Sequence, residues 1–203
     1  MCHEQRVHFH VDAAFGGSFL MDSELRKKLK GIEIADSVSI CAHKQLYIPI
    51  GLSICLFKDK DFVHRSENNT RYQARKGSFD LGRFTVEGSR NFNSLMLHAA
   101  FKIAGREGYA QIIRKNYENA QWFANRLESH DAFELLYNPD LNIVLYRYLP
   151  LKFRTKSSFT SEELKEVNDF NRTLQKTQFE RGNSFVSYTE IKRKGEEEYS
   201  VMF

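Results

Sequence analysis

Cysteines and long apolar runs are both scarce in this chain. Its 203 residues include three cysteines, Cys2, Cys41 and Cys55, which cannot form an even set of disulfides. Cys41 and Cys55 lie inside short apolar runs, where a free cysteine behaves as a small hydrophobic residue. No apolar run approaches the roughly 20 residues that a bilayer-spanning helix needs, and residues 1–6 carry no apolar signal-peptide core. We therefore expect a cytoplasmic protein without a membrane segment.

A strong excess of one charge and clusters of metal-ligating residues are also lacking. The formal net charge is +4, and basic residues alternate with acidic ones, as in residues 192–198. We interpret the basic stretch 26–30 as the solvated face of a helix rather than a nucleic-acid site. His8 and His10 would share one face of a strand, but no cysteine or carboxylate cluster with zinc-like spacing accompanies them. We expect neither a nucleic-acid partner nor a metal ion.

Two short apolar runs, residues 9–14 and 38–42, have the length and composition of β-strands. Between them, residues 23–30 have the pattern of a helix that Gly31 closes. A strand, a helix and a strand over about 30 residues have the size of a βαβ unit. Such a crossover makes the two strands parallel neighbours that end at the same edge of the sheet. Asp12 and Lys44 should both lie at that edge, where open α/β sheets bind ligands.

An aspartate and a lysine at one sheet edge allow two interpretations. They can form a structural salt bridge. Alternatively, the lysine can hold the aldehyde of pyridoxal phosphate (PLP) as a Schiff base. The aspartate would then keep the pyridine nitrogen protonated, so that the ring can accept electrons. The pair of residues by itself does not decide between the two.

The residues around this pair carry a family resemblance. His10 to Gly17 reads HVDAAFGG, and His43 to Gly51 reads HKQLYIPIG. In this order and at this separation, the two motifs resemble the group II PLP-dependent amino-acid decarboxylases, relatives of the glutamate, aspartate and aromatic amino-acid decarboxylases. The resemblance implies an α/β protein with the aspartate-aminotransferase-like fold of PLP enzymes (fold type I). Residues 1–106 would form the C-terminal part of the PLP-binding large domain, and residues 107–203 a small α+β C-terminal domain.

The same resemblance implies roles for four residues around the cofactor. Lys44 would form the Schiff base, and Asp12 would hold the protonated ring nitrogen. Ala14 would pack under the face of the ring. His43 would contact the cofactor phosphate and, being adjacent to Lys44, would also act near the reacting amine.

Two further residues are assigned to the substrate by resemblance. The polar stretch 64–88 corresponds to a mobile catalytic loop, and Tyr72 in it would protonate the substrate Cα; without the family it would be interpreted as a surface residue. Glu87-Gly-Ser-Arg90 matches the branch of the family that contains the aspartate and glutamate decarboxylases. Arg90 could bind a substrate carboxylate or a phosphate through a bidentate fork, or could tie down the helix that follows.

The second half of the chain has a different pattern. Helices are predicted over residues 93–104, ended by Gly105, and over residues 109–129. Two strands are expected within residues 133–149. Thr160 and Glu163 have the spacing of a capping box that opens a helix to about residue 180, and two more strands follow within residues 184–203. Helices followed by strand pairs indicate an α+β arrangement.

Three classes of function are compatible with these observations. The first is PLP-dependent decarboxylation of an acidic L-amino acid, glutamate or aspartate, by a homodimeric enzyme. We expect this chain to be the latter part of that longer enzyme and to be inactive as an isolated fragment. The second is another fold type I enzyme, such as an aminotransferase or a desulfurase. The third is a non-catalytic or truncated fold type I paralogue that acts as an interaction or dimer module.

Overall fold

The computed structural model describes Gln5 and residues 7–67, 81–85, 90–156, 158–192 and 199–202. The chain forms two compact units that divide between Arg114 and Lys115. The domain boundary expected from the sequence lies between residues 106 and 107, so the observed division comes later in the chain. The identification of the two units with a large and a small domain stays a prediction.

The described part of the chain is of mixed α/β type and also contains several short 3-10 helices. In chain order the strands and α-helices are β1 (His10–Asp12), β2 (Ser37–Cys41), β3 (Ser53–Phe57), α1 (Ser94–Glu128), β4 (Phe133–Leu135), β5 (Tyr146–Tyr148), α2 (Ser161–Arg181), β6 (Tyr188–Ile191) and β7 (Tyr199–Met202).

A three-stranded sheet in the order β1-β2-β3 forms the centre of the first unit. β1 and β2 are parallel, with Asp12 opposite Ser39, and β3 runs antiparallel to β2. The expected parallel pairing is therefore confirmed. Because side chains alternate along a strand, His10 and Asp12 of β1 share one face with Ser37 and Ser39 of β2.

The connection between β1 and β2 is not the predicted α-helix, and that prediction was wrong. Short 3-10 helices at Gly16–Met21, Leu25–Leu29 and Ile32–Ile34 replace it. Within the segment Leu25–Leu29 only Leu25 is buried, so one apolar anchor holds it to the unit. So short a segment gains too few bonds to offset the cost of nucleating an α-helix, and the tighter 3-10 form is common in such short connections.

Asp22 fixes this connection from inside the first unit. Its carboxylate is fully buried. Oδ1 accepts the backbone N–H groups of Glu24 and Leu25 at 2.8 and 2.9 Å, and Oδ2 accepts two N–H groups of Arg114 at 3.0 and 2.6 Å. A buried carboxylate with four donors replaces the water that it loses on folding.

The connection also packs closely on β2 at Gly17. A Cβ atom at this position would lie 2.6 Å from Cγ1 of Ile40 and 3.2 Å from Cβ of Ala13. The backbone N–H of Gly17 donates to the Ala13 carbonyl at 2.8 Å. The glycine thus allows the chain to fold back onto the end of β1 immediately after the aspartate strand.

Helix α1 covers the turn that follows β2. Buried Tyr109 packs with Ala42, Leu46 and Ile48, and its hydroxyl donates to the Leu46 carbonyl at 3.1 Å. The predicted break between two helices falls at Gly105, where φ is 62°. The backbone of Gly105 is not helical, so α1 (Ser94–Glu128) consists of two helices joined by a kink at this residue, and the predicted break is confirmed.

The second unit contains a four-stranded antiparallel sheet in the order β4-β5-β7-β6. The predicted capping box is confirmed at the start of α2: Thr160 accepts from the Glu163 N–H, and the Glu163 side chain accepts from the Thr160 N–H. One apolar cluster of this unit is formed by α1, β5 and the segment that leads into β5; its buried members are Ala120, Ala124, Leu127, Val144 and Tyr146.

Asn171 of α2 is a buried polar link to the sheet. Its Oδ1 accepts the Tyr148 N–H at 2.8 Å, and its Nδ2 donates to the Tyr148 carbonyl at 2.9 Å and to the Val167 carbonyl at 2.8 Å.

Neither helix in the described part of the chain is both long and apolar enough to cross a bilayer.

Candidate functional site

Asp12 is the last residue of β1, and its carboxylate is held by hydrogen bonds to one of its two oxygens. Oδ1 accepts the Ala14 N–H at 2.9 Å and the Ser39 hydroxyl at 3.2 Å. These two donors hold the pKa of Asp12 below its ordinary value of 3.8, and the charges of Lys44 and His10 lower it further, against the opposing effect of burial. The side chain is exposed and remains ionised at neutral pH.

Lys44 lies in the turn that directly follows β2. Its side chain is exposed, with Nζ 6.0 Å from the centroid of the Phe15 ring. Among the residues that the structure describes, Nζ has no hydrogen-bond acceptor and no ion-pair partner, although its charge contributes to the low pKa of Asp12. The structure therefore brings Asp12 and Lys44 to the same edge of the sheet without joining them in a salt bridge.

The turn that carries Lys44 is closed by main-chain bonds. The Ile48 N–H donates to the Ala42 carbonyl at 3.1 Å, and the Ala42 N–H donates to the Leu52 carbonyl at 3.1 Å. Tyr47 has a φ of 57°, a left-handed conformation that is rare for a tyrosine. The buried side chains of Leu46 and Ile48 on either side hold it there. Lys44 thus extends from a turn that main-chain hydrogen bonds close.

His43 presents a buried nitrogen without a partner. Its Nδ1 is enclosed and makes no hydrogen bond within the described part of the chain. Buried polar atoms nearly always have a partner, so this nitrogen is suited to a ligand oxygen. Ala14 follows β1 and is half-buried, and its carbonyl accepts the N–H of Cys41, the last residue of β2, at 3.1 Å.

A row of hydroxyl and imidazole groups continues from Asp12 across the same face. Ser37 Oγ lies 2.8 Å from His8 Nε2 and 2.7 Å from His10 Nδ1. Neither Ser37 nor Ser39 was singled out from the sequence. The alternation of residues along two parallel strands, with Asp12 opposite Ser39, was the signal that could have found them.

The two predicted substrate residues have different outcomes. Tyr72 lies outside the described residues, so its role stays a prediction. Arg90 is described and exposed, and no hydrogen bond or ion pair joins it to another residue of the described ranges. The structure brings Asp12 together with Ala14 and Lys44, and His43 precedes Lys44 in the same turn. No hydrogen bond or ion pair between described residues links Arg90 to them.

Comparison of the sequence with known proteins finds a family model and relatives that agree with one another. The family model described as the pyridoxal-dependent decarboxylase conserved domain matches residues 1–149. Aspartate 1-decarboxylase of Aliivibrio fischeri is 41% identical over 189 residues, which cover 91% of this chain and 35% of that protein. Acidic amino acid decarboxylase GADL1 of Xenopus tropicalis is 28% identical over 195 residues, which cover 93% of this chain and 38% of that protein.

Solved structures share the fold. Mouse CSAD in its apo form superposes with a TM-score of 0.86 at 23% identity, covering 99% of this chain and 41% of that one. Oryza sativa TDC, determined with PLP and tryptamine, superposes with a TM-score of 0.82 at 24% identity, covering 100% of this chain and 41% of that one. The chain therefore spans well under half the length of these relatives.

Proposed function

Because the chain belongs to the pyridoxal-dependent decarboxylase family, we propose that it carries the cofactor-binding lysine and aspartate of an enzyme that decarboxylates an acidic L-amino acid. The observation that supports this most strongly is the position of Asp12 and Lys44. They lie at one sheet edge, each with a polar atom left without a partner in the described part of the chain. A structural salt bridge, the competing interpretation, would have joined them directly.

The residues present fit PLP. A free amine at Lys44 suits the cofactor aldehyde, and Asp12 Oδ2, which has no described partner, suits the protonated ring nitrogen. The enclosed Nδ1 of His43 would contact a phosphate oxygen, and Ala14 would lie under the ring. When bound, PLP supplies a ring that accepts the electron pair released from the bond to the departing carboxylate.

The chain's own residues would prepare this chemistry. Asp12, whose pKa is lowered, stays negatively charged at neutral pH and favours the protonated form of the ring nitrogen. Arg90 would bind a carboxylate of the substrate through a bidentate fork. Tyr72 would donate a proton to the substrate Cα, and the stretch around it would exclude water.

The acidic substrate, the oligomer and the wider architecture are also proposals. The two curated relatives described above are named as decarboxylases of aspartate and of acidic amino acids, and Arg90 provides a charge complementary to such a substrate. We propose fold type I, with residues 1–106 in the large domain and residues 107–203 in a small C-terminal domain, and a cytoplasmic homodimer. These assignments depend on the family resemblance.

Release of labelled carbon dioxide tests the proposal. The full-length protein with added PLP should release it from aspartate or glutamate labelled at the α-carboxylate. Lys44→Ala should abolish release and Asp12→Ala should lower it severely. Lys27→Ala, which removes an exposed lysine paired with Glu24, serves as the matched control and should leave the rate unchanged.

Three outcomes would contradict the proposal in different ways. Full activity of Lys44→Ala would exclude the lysine assignment. Dependence of the reaction on a keto acid would indicate an aminotransferase. PLP binding without turnover on any amino acid would favour the non-catalytic interaction module.

A further inference from the structure

We infer that Ser39 is a positioning residue for Asp12: its hydroxyl fixes Oδ1 of the carboxylate and leaves Oδ2 as the oxygen that accepts the ring N–H of the cofactor. The inference rests on the proposed function, because it concerns how the chain presents Asp12 to PLP. It adds a residue of β2 that neither the sequence motifs nor the family match identifies.

The strand register places Ser39 for this role. Asp12 and Ser39 are opposite one another in the parallel pair of β1 and β2. The Ser39 carbonyl accepts the Ala13 N–H at 2.9 Å, and its hydroxyl donates to Asp12 Oδ1 at 3.2 Å. A main-chain bond and a side-chain bond from one residue therefore hold the end of β1.

The hydrogen bonds of Asp12 are distributed unequally between its two oxygens. Ala14 and Ser39 both donate to Oδ1, while Oδ2 has no hydrogen-bond partner in the part of the chain described. Lys44 and His10 act on Asp12 by charge alone. Two donors on one oxygen restrict rotation of the carboxylate, so the second oxygen keeps a fixed direction for its acceptor function.

No other described hydroxyl on this face can substitute for Ser39. Ser37 Oγ is already bonded to His8 and His10, and Ser53 Oγ lies 3.5 Å from the Cys41 thiol. Replacing Ser39 by alanine therefore removes the only side-chain donor to Asp12 among the described residues, while the Ala14 N–H stays in place.

The test compares Ser39→Ala, Ser39→Thr and a matched control, Ser53→Ala, in the full-length protein. Two quantities are measured: the pKa of Asp12 by carboxyl-carbon NMR without cofactor, with Asp12→Asn assigning the resonance, and the dissociation constant for PLP. Loss of a donor to the charged form should raise the Asp12 pKa in Ser39→Ala and weaken PLP binding roughly three- to tenfold, the effect of one hydrogen bond. Ser39→Thr, which keeps the hydroxyl, should restore both, and Ser53→Ala should change neither.

The inference is overturned if the Asp12 pKa is the same in Ser39→Ala and the wild type, or if the threonine variant behaves like the alanine variant. The second result would mean that the residue only packs within the strand. Failure of the proposed function has a different signature. In that case Asp12→Asn would bind PLP as tightly as the wild type, whatever the pKa of Asp12 does in the Ser39 variants.

Discussion

Removal of the Asp22 carboxylate should destabilise the first unit more than any surface substitution. Two backbone N–H groups donate to Oδ1 inside a fully buried site. Hydrogen bonds to a charged group contribute about 1.5 kcal/mol each at the low end of the measured range, about 3 kcal/mol for the two. The pair with Arg114, whose side chain is half exposed, adds about 0.5–1 kcal/mol. Asp22→Ala should therefore lower the free energy of unfolding by about 3–4 kcal/mol.

Urea denaturation followed by circular dichroism measures this effect, and two further variants separate its parts. Arg114→Ala should lose about 1–2 kcal/mol, because Oδ2 of the buried carboxylate loses its donors while the two backbone bonds to Oδ1 stay intact. Asp22→Asn keeps an oxygen for those bonds and should fall between the two. A loss below about 1 kcal/mol in Asp22→Ala, or equal losses in Asp22→Ala and Arg114→Ala, would refute the reasoning.

The same variant has a pH signature. Burial raises the pKa of Asp22, but the N–H groups of Leu25, Arg114 and Glu24 lower it more, so that its pKa in the folded protein lies below the ordinary value of 3.8. The stabilisation is fully present above the unfolded pKa and is lost as the pH falls through the folded one. The stability difference between the wild type and Asp22→Ala should shrink in that acidic range and stay constant above it. A difference that grows on acidification would contradict this account.

Three further substitutions test the packing. Gly17→Ala should lower the free energy of unfolding by about 1–3 kcal/mol, because the new Cβ would overlap Ile40. The double variant Gly17→Ala/Ile40→Ala should lose less than the sum of the losses in the two single variants. Tyr109→Phe should lower the free energy of unfolding by about 1 kcal/mol, because the buried Leu46 carbonyl, in the turn that carries Lys44, loses the Tyr109 hydroxyl as its donor. Asn171→Ala should cost about 2–4 kcal/mol, because the N–H and carbonyl of one β5 residue lose their partner together. All three are measured by urea denaturation.

A helix substitution provides the control for Asn171. Thr173 is exposed, and its hydroxyl donates only to the Asp169 carbonyl of its own helix, so Thr173→Ala should stay within about 0.5 kcal/mol of the wild type. Comparable losses in the two α2 variants would show that the buried link carries no special energy. Additive losses in the Gly17 and Ile40 pair would show that the predicted overlap relaxes elsewhere.

Local signals in the sequence were sufficient for much of the fold. The parallel pairing of β1 and β2 followed from strand length and the size of the crossover, and the capping box at Thr160 followed from spacing alone. Both depend on residues close in sequence or on one well-defined period. The break at Gly105, with a helix on either side of it, was predicted for the same reason.

Contacts between distant residues could not be predicted in this way. Asp22 and Arg114 are far apart in the chain, and nothing in the sequence indicates that the Asp22 carboxylate pairs with the Arg114 guanidinium. The buried Asp22 carboxylate holds the connection between β1 and β2, and its segment Leu25–Leu29 has one buried apolar residue, which a helical pattern does not reveal. The bond from Ser39 to Asp12 could be predicted only from the strand register, which places the two residues opposite one another. A register shifted by one residue would have turned Ser39 to the other face of the sheet.

Chemical trapping identifies the lysine that holds PLP. The full-length protein is incubated with PLP, reduced with borohydride to fix the cofactor to its amine, and digested for mass spectrometry. We expect the pyridoxyl phosphate mass on the peptide that contains Lys44 and expect it to be absent from Lys44→Ala. Labelling of a different lysine in a protein that releases carbon dioxide, or no labelling at all, would contradict this expectation.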